Sequence, residues 1–337
     1  MCASGLYTAL PSASSIRLLQ LHPSSRDDEP LSCSLHVYED YRELPPYLAL
    51  SYCWGHPRLR CEIICNDQAH TITETLHSAL CQLRAKGEGY HTVWADAICI
   101  DQDNIPERNQ QVSIMLRIYG YAQRVLIWGG PQDARSSEAL LTIRQLASRV
   151  YEASGTDQSM PDWLRSVRLD DGMADSLGAI RAVGPSHFSP QTWRTLWEFY
   201  QGGWFFRVWV IQEVRQCADV FFMRGDSEID WHLVALTATW LWCMSESDGG
   251  FHWKREHFPS FNSWTNVKLM WELGLSTRRE APFLMLLSLT RPFEAIDPRD
   301  KIFALLHHRI TRQVCNDLGV VLAKETHPLN DSVSSPW

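Results

Sequence analysis

No block of basic residues runs along the 337-residue chain, which carries 31 lysines and arginines against 39 acidic residues for a formal charge of −8. A surface built for a phosphate backbone needs a basic patch or stripe, so no nucleic-acid partner is expected. Long apolar runs are also missing. The longest, around Leu233 to Met244, falls short of the roughly 20 residues a membrane-spanning helix needs. The opening MCASGLYTALPSASS lacks the basic residues and unbroken apolar stretch of a secretory signal. Ten cysteines are too few for a disulfide scaffold at this length, and they lie among apolar neighbours, as buried free thiols do. Together these absences predict a soluble, cytoplasmic protein in a reducing compartment, with no membrane span.

Several chemistries lack their residues. The GGP after Trp128 has no Lys and no Ser or Thr to complete a phosphate-gripping loop, and neither a Gly-x-Ser-x-Gly elbow nor a His-Glu-x-x-His helix occurs. Cys61, Cys65, His70 and His77 have the types of zinc ligands but not their usual spacing, so no metal is expected. Cys53 and Cys99 sit among apolar residues and read as packed thiols rather than nucleophiles.

What is present is a globular composition, 45% apolar, 11% aromatic and 21% charged, with length enough for about two domains. Residues before Ile16 read as a loose leader. Ile16 to Leu21 and Leu31 to Val37 have a hairpin-like pattern, which makes a small N-terminal β element. Tyr47 to Gly55 reads as the first core strand, Cys61 to Cys65 as a strand, and Thr73 to Leu83 as a helix. Thr92 to Ile100 reads as a strand buried on both faces. Asn104 and Glu107 have capping-box spacing, with Pro106 in the first turn, so a helix follows. RVLIWGG is the next strand, and Ser136 to Ala153 the next helix. A variable loop is expected over 154–175, a helix from Gln191 to Tyr200, and a mainly helical part after Cys217. The resulting division is 1–46, leader and β element; 47–216, core domain; 217–323, helical extension; 324–337, frayed tail. Alternating strands and helices argue a parallel α/β sheet flanked by helices, whose ligands lie beyond the carboxyl ends of its strands, here SYCWG, CIDQDN and WGGPQD.

Four segments in order, YLALSYCWG, VWADAICIDQDNIPERNQQVSIMLRIYGYAQRVLIWGG, WFFRVWVIQEV and DPRDKIFALL, resemble the fungal heterokaryon incompatibility (HET) domain family over roughly residues 16 to 306. Ala95 stands where that family often has a larger aliphatic residue, and Asp101 where it often has Asn. The chain stops soon after the last motif, where many members continue. The resemblance implies a role in fungal nonself recognition and programmed cell death. It also implies a fold distantly similar to the Toll/interleukin receptor (TIR) domain, a flavodoxin-like parallel sheet. In TIR enzymes that cleave NAD, a Trp is followed four residues later by the catalytic Glu, and Trp209 and Glu213 match that spacing.

By that likeness Glu213 is the catalytic candidate, since a carboxylate beside the ribose stabilises the oxocarbenium-like transition state. Trp54 and Trp209 are candidates to pack against a base, Arg108 and Arg207 to bind pyrophosphate, and Ser51, Tyr52 and Asp96 to hydrogen-bond sugar hydroxyls or orient their neighbours. NAD enters as substrate, with no cofactor. Each residue also has a structural reading: a solvated helix glutamate, core or rim tryptophans, an arginine paired with a local acid. DPRDKIFALL reads as structural, with Asp297 as cap, Pro298 in the first turn and Asp300 complementing the helix dipole. The competing function is a non-catalytic signalling module that self-associates or docks a partner incompatibility protein.

Overall fold

The computed structural model describes residues 5–24, 26, 29–87, 89–167, 174–184, 189–214, 217, 219–246, 263–275 and 283–305. The tail expected to fray, 324–337, lies outside them.

Nine strands form one mixed sheet. They are β1 (Ile16–Leu21), β2 (Ser32–Tyr38), β3 (Leu48–Tyr52), β4 (Arg60–Cys65), β5 (Gln68–Thr73), β6 (Thr92–Trp94), β7 (Arg124–Trp128), β8 (Val220–Arg224) and β9 (Ser227–Asp230), in the spatial order β5-β4-β2-β1-β6-β3-β7-β8-β9. The centre, β6-β3-β7-β8, is parallel throughout. Numbered among themselves these four strands run 2-1-3-4, a doubly wound order. β3 and β7 are buried almost end to end and almost wholly apolar, as strands covered on both faces must be. The fold is thus the expected α/β sheet flanked by helices, with a mostly helical C-terminal region, but the sheet is mixed rather than parallel throughout.

Three local expectations need correction, and one strand, β5, was not expected between the strand at Cys61–Cys65 and the helix after Thr73, both of which are present. The N-terminal pair β1 and β2 is not a separate element: β1 joins the main sheet antiparallel to β6. The described residues ahead of it are not loose, because Leu6 is buried and the Tyr7 hydroxyl donates to the Ile98 carbonyl at 3.2 Å. Cys61–Cys65 belongs to a tight hairpin, β4 with β5, whose turn residues Asn66 and Asp67 both have positive φ (50° and 60°). Asn and Asp tolerate that conformation, and the two-residue Asn-Asp loop was the overlooked signal. The long strand expected over Thr92 to Ile100 stops at Trp94, and a single helical turn, α2 (Asp96–Cys99), takes over.

Helices cover the sheet: α1 (Glu74–Lys86), α3 (Ile105–Tyr121), α4 (Ala134–Ser154), α5 (Met160–Ser166), α6 (Ala174–Ala182), α7 (Pro190–Tyr200) and the short α8 (Val210–Glu213). α5 lies in the stretch expected to be a loop. After residue 217 the chain first adds β8 and β9 to the sheet and only then turns helical, with α9 (Trp231–Glu246), α10 (Trp264–Leu275), α11 (Phe283–Leu289) and α12 (Asp300–Phe303). No helix among the described residues is long and apolar enough to cross a membrane.

α3 shows how side chains decide position. Asn104 caps it by accepting from the Glu107 amide at 3.2 Å. The Glu107 carboxylate does not return to the cap. It accepts from the Asp101 amide at 2.8 Å and from both terminal nitrogens of buried Arg17, one at 3.0 Å. That pairing binds β1 to the loop leaving β6 and so fixes one wall of the site.

Candidate active site

A cavity of about 830 Å³ opens beside the carboxyl ends of β3 and β6. Gly55, which turns the chain out of the SYCWG motif, has φ of 76°, and a Cβ there would collide with the Thr75 hydroxyl. The cavity takes in Trp54 and Asp96 from these ends, Arg108 from α3, and Arg207, Trp209 and Glu213 from the segment around α8. Ser51 and Tyr52 do not line it but are buried directly behind. The third expected strand end, WGGPQD, is not part of the wall. A Cβ at Gly129 would strike the Phe222 ring, which stacks on Phe205 at 5.7 Å and also packs on Phe199. Aromatic packing occupies that end of the sheet, which moves the opening toward β6.

Glu213 ends α8, one helical turn after Trp209, which is the first turn's cap. Its side chain is only 4% exposed. The Ser51 hydroxyl donates to its Oε2, and the Trp204 indole N–H donates to Ser51 Oγ at 2.7 Å, so a relay from the 3₁₀ turn Gly203–Phe206 aims the carboxylate. Its Oε1 lies 3.9 Å from Arg207, whose guanidinium also donates to the Tyr52 carbonyl at the end of β3. Burial raises the Glu213 pKa above the ordinary carboxylate value, opposed by the Arg207 charge and the Ser51 hydrogen bond.

Asp96 begins α2. Its Oδ2 accepts from the Trp54 indole N–H at 2.9 Å and its Oδ1 from the Ala97 amide at 2.8 Å. Burial pushes its pKa up too, with Arg207 pulling it down. Arg207 is in turn held charged: burial disfavours the cation, but Glu213, Cys53 and Asp96 outweigh that and raise its pKa.

The sequence alone did not assign Trp204, Arg291, Glu294 or Lys301 to the site. The last three line the cavity, as does Asp300, which was read as a helix-dipole partner. α12 begins at Asp300 rather than at Pro298, but the Asp297 carboxylate still accepts from the Arg299 amide at 2.9 Å, as a cap does, and from the Arg299 side chain at 3.0 Å. The signal for this wall was present in the dense charge of RPFEAIDPRDK, but nothing in its spacing told a cap from a cavity wall.

The charges fall into two groups. Asp96, Glu213 and Glu294 surround Arg207 and Cys53, a net negative set. Arg108, Arg291 and Lys301 lie with Asp300, a set that stays net positive with Asp103 counted beside Arg108. Among the described residues no three His, Cys, Asp or Glu side chains converge as metal ligands would.

Comparison with known proteins agrees with the motifs. Residues 47–213 match the family described as heterokaryon incompatibility protein (HET). The chain is also similar to heterokaryon incompatibility protein 6, OR allele, from Neurospora crassa, with 26% identity over 244 residues. That match covers 68% of this chain but spans about a third of the relative's length, 36%. No solved structure matches. The four motifs, the sheet that carries them and the match over residues 47–213 together make this chain a member of the heterokaryon incompatibility (HET) domain family.

Proposed function

We propose that the chain acts in fungal heterokaryon incompatibility, and that its cavity hydrolyses the bond between nicotinamide and ribose in NAD with Glu213 as the essential carboxylate. The observation that carries this reading is the Glu213 side chain. It is buried, ionisable, aimed by Ser51 and steadied by Arg207, on the wall of a cavity whose 830 Å³ suits a cofactor-sized ligand, for which roughly 300–1,000 Å³ is usual.

In the reaction the C1′–N bond breaks and its electron pair stays on the ring nitrogen, so the cationic pyridinium leaves as neutral nicotinamide. Positive charge grows on the ribose as this happens. A fixed carboxylate beside it, in surroundings of low polarity, attracts that charge more strongly in the transition state than in the ground state. Water then adds to C1′ and gives up a proton, leaving ADP-ribose. Arg207 and Ser51 oppose the rise that burial imposes on the Glu213 pKa, and the two charge groups suit a ligand with a cationic ring at one end and a diphosphate in its middle.

The test is nicotinamide release from NAD by purified protein, at concentrations that permit assembly, for wild type and Glu213→Gln. Release by wild type and none by the variant supports the reading, and absence of release from both removes it. A second reading, a non-catalytic docking module, draws on exposed apolar side chains, chiefly Leu284 of α11 (77% exposed) and Ile296 on the cavity wall (70%). Cell killing that survives Glu213→Gln but not Leu284→Asp with Ile296→Asp favours that one.

A further inference from the structure

The outer wall of the cavity, from Arg291 to Lys301, lies beyond the residues matched to the family. Its backbone is nonetheless locked to the centre of the site. The Val208 amide donates to the Glu294 carbonyl at 3.0 Å and the Glu294 amide to the Phe206 carbonyl at 2.5 Å, a short parallel bridge at Arg207. Gln212, the neighbour of Glu213, is buried and donates to the carbonyls of Phe303 at 3.1 Å and Ala304 at 2.8 Å, closing the end of α12. A wall fixed at both ends to the segment bearing the candidate carboxylate is held in register with it.

Two cations stand on this wall. The Lys301 ammonium donates to the Arg291 carbonyl at 3.0 Å, which brings the two residues together. Among the described residues neither has a carboxylate partner, whereas Arg299, which does not line the cavity, is paired with Asp297 at 2.6 Å. Arg108 of α3 completes the set, with Asp103 and Asp300 near it, so three cations stand against two acids.

We infer that Arg108, Arg291 and Lys301 form a subsite for the diphosphate of a dinucleotide, so that the segment 291–301 is a working part of the site rather than a cap beside it. This rests on reading the cavity as a dinucleotide site. Guanidinium groups match phosphate oxygens in a planar fork and an ammonium adds a movable point charge, so the set supplies donors for two adjoining phosphates. The acids around Arg207 repel phosphate. They leave one orientation, with the diphosphate on the outer wall and the ribose bearing the leaving group at Glu213.

The experiment is calorimetric titration of ADP-ribose and, separately, adenosine into wild type, Arg291→Gln/Lys301→Gln and Arg299→Gln, with melting curves to check folding. Wild type is expected to bind ADP-ribose at least tenfold more tightly than the double variant. Adenosine should show no such difference, and Arg299→Gln should behave as wild type. Wild type that fails to bind ADP-ribose, or a folded double variant that binds it within twofold of wild type, overturns the subsite. Nicotinamide release is scored apart: binding that depends on Arg291 and Lys301 without release removes the hydrolase and keeps the subsite, while release indifferent to both residues does the reverse.

Discussion

Two Arg–Glu pairs, one buried and one half-buried on the cavity wall, differ in how closely their charges are enclosed. Arg17 and Glu107 are 1% and 7% exposed. The two terminal nitrogens of the guanidinium fork onto both carboxylate oxygens and also donate to the carbonyls of Cys99 and Thr8, with only the buried Nε left without a partner among the described residues, while the carboxylate takes the Asp101 amide as well. Arg207 and Glu213 stand 3.9 Å apart at 25% and 4% exposure, on a cavity wall, with Asp96 as a second acid near the same guanidinium. A closed network whose charges are compensated defines geometry. An open one leaves charge facing an empty volume, which is how groups that act on ligands are placed.

Breaking the closed pair should have the largest effect on folding. Glu107→Ala strands a buried guanidinium and frees the loop after α2, so a loss of about 3–5 kcal/mol is expected, a large share of the stability of an ordinary domain. Chemical denaturation measures it. A loss under about 1 kcal/mol would show that the network is less closed than its geometry and end the contrast. Glu213→Gln should leave the fold intact. Burial raises this carboxyl's pKa, so the folded chain takes up its proton more readily than the unfolded chain. Its contribution to stability therefore grows as pH falls through the raised value, and at neutral pH the ionised form is a net cost. The neutral isostere removes that cost, and a melting temperature equal to or above wild type at pH 7 is expected. Activity behaves oppositely: nicotinamide release should fall by about 10²–10³-fold, the scale for losing one electrostatic contact to a transition state.

The difference between the two pairs also marks how far the sequence could be read. Apolar runs located β3 and β7 because strands buried on both faces have few alternatives, and Asn104 and Pro106 located the start of α3 because caps are local chemistry. The Arg17–Glu107 pair spans 90 positions, and no local rule joins them. Trp94 to Cys99 was read as extended because apolar character is common to a buried strand and a buried turn, and the bend at Ala95 depends on tertiary packing. Of the site, residues carried by motifs were visible, Trp54, Asp96, Arg207, Trp209 and Glu213 among them. Trp204 was not, because its function is to hold Ser51, 153 residues away, and neither were Arg291 and Lys301, whose role depends on where a distant backbone bridge places them.

A smaller effect tests the open pair from behind. Ser51→Ala removes the donor that helps keep Glu213 ionised, so the carboxyl's pKa should rise further. Release depends on the ionised form, so the acid limb of its pH profile should move to higher pH, with the plateau rate less affected than the limb. An unmoved limb would mean that another group governs ionisation, with Arg207 as the candidate. The same profile in Arg17→Lys, which touches only the closed pair, should keep its shape.

The smallest effect belongs to Asp96. This carboxylate touches the Trp54 indole N–H at 2.9 Å and the Ala97 amide at 2.8 Å, so both of its oxygens are engaged in fixing neighbours. On these contacts Asp96 is a positioning residue that sets the plane of Trp54 on the cavity wall. Asp96→Asn keeps the shape but offers one carbonyl oxygen where two oxygens accepted, so either the indole or the α2 amide loses its partner. A ring free to turn should weaken binding without altering the step at Glu213: KM for NAD rises by about three- to tenfold, consistent with roughly 1 kcal/mol for a neutral hydrogen bond, while kcat stays within about twofold. Trp54→Phe retains a stacking face and loses the N–H, so it should give the same split, and combining it with Asp96→Asn should add little. If kcat falls with KM unchanged, Asp96 acts on the reacting ribose, and the open cluster has two working acids instead of one.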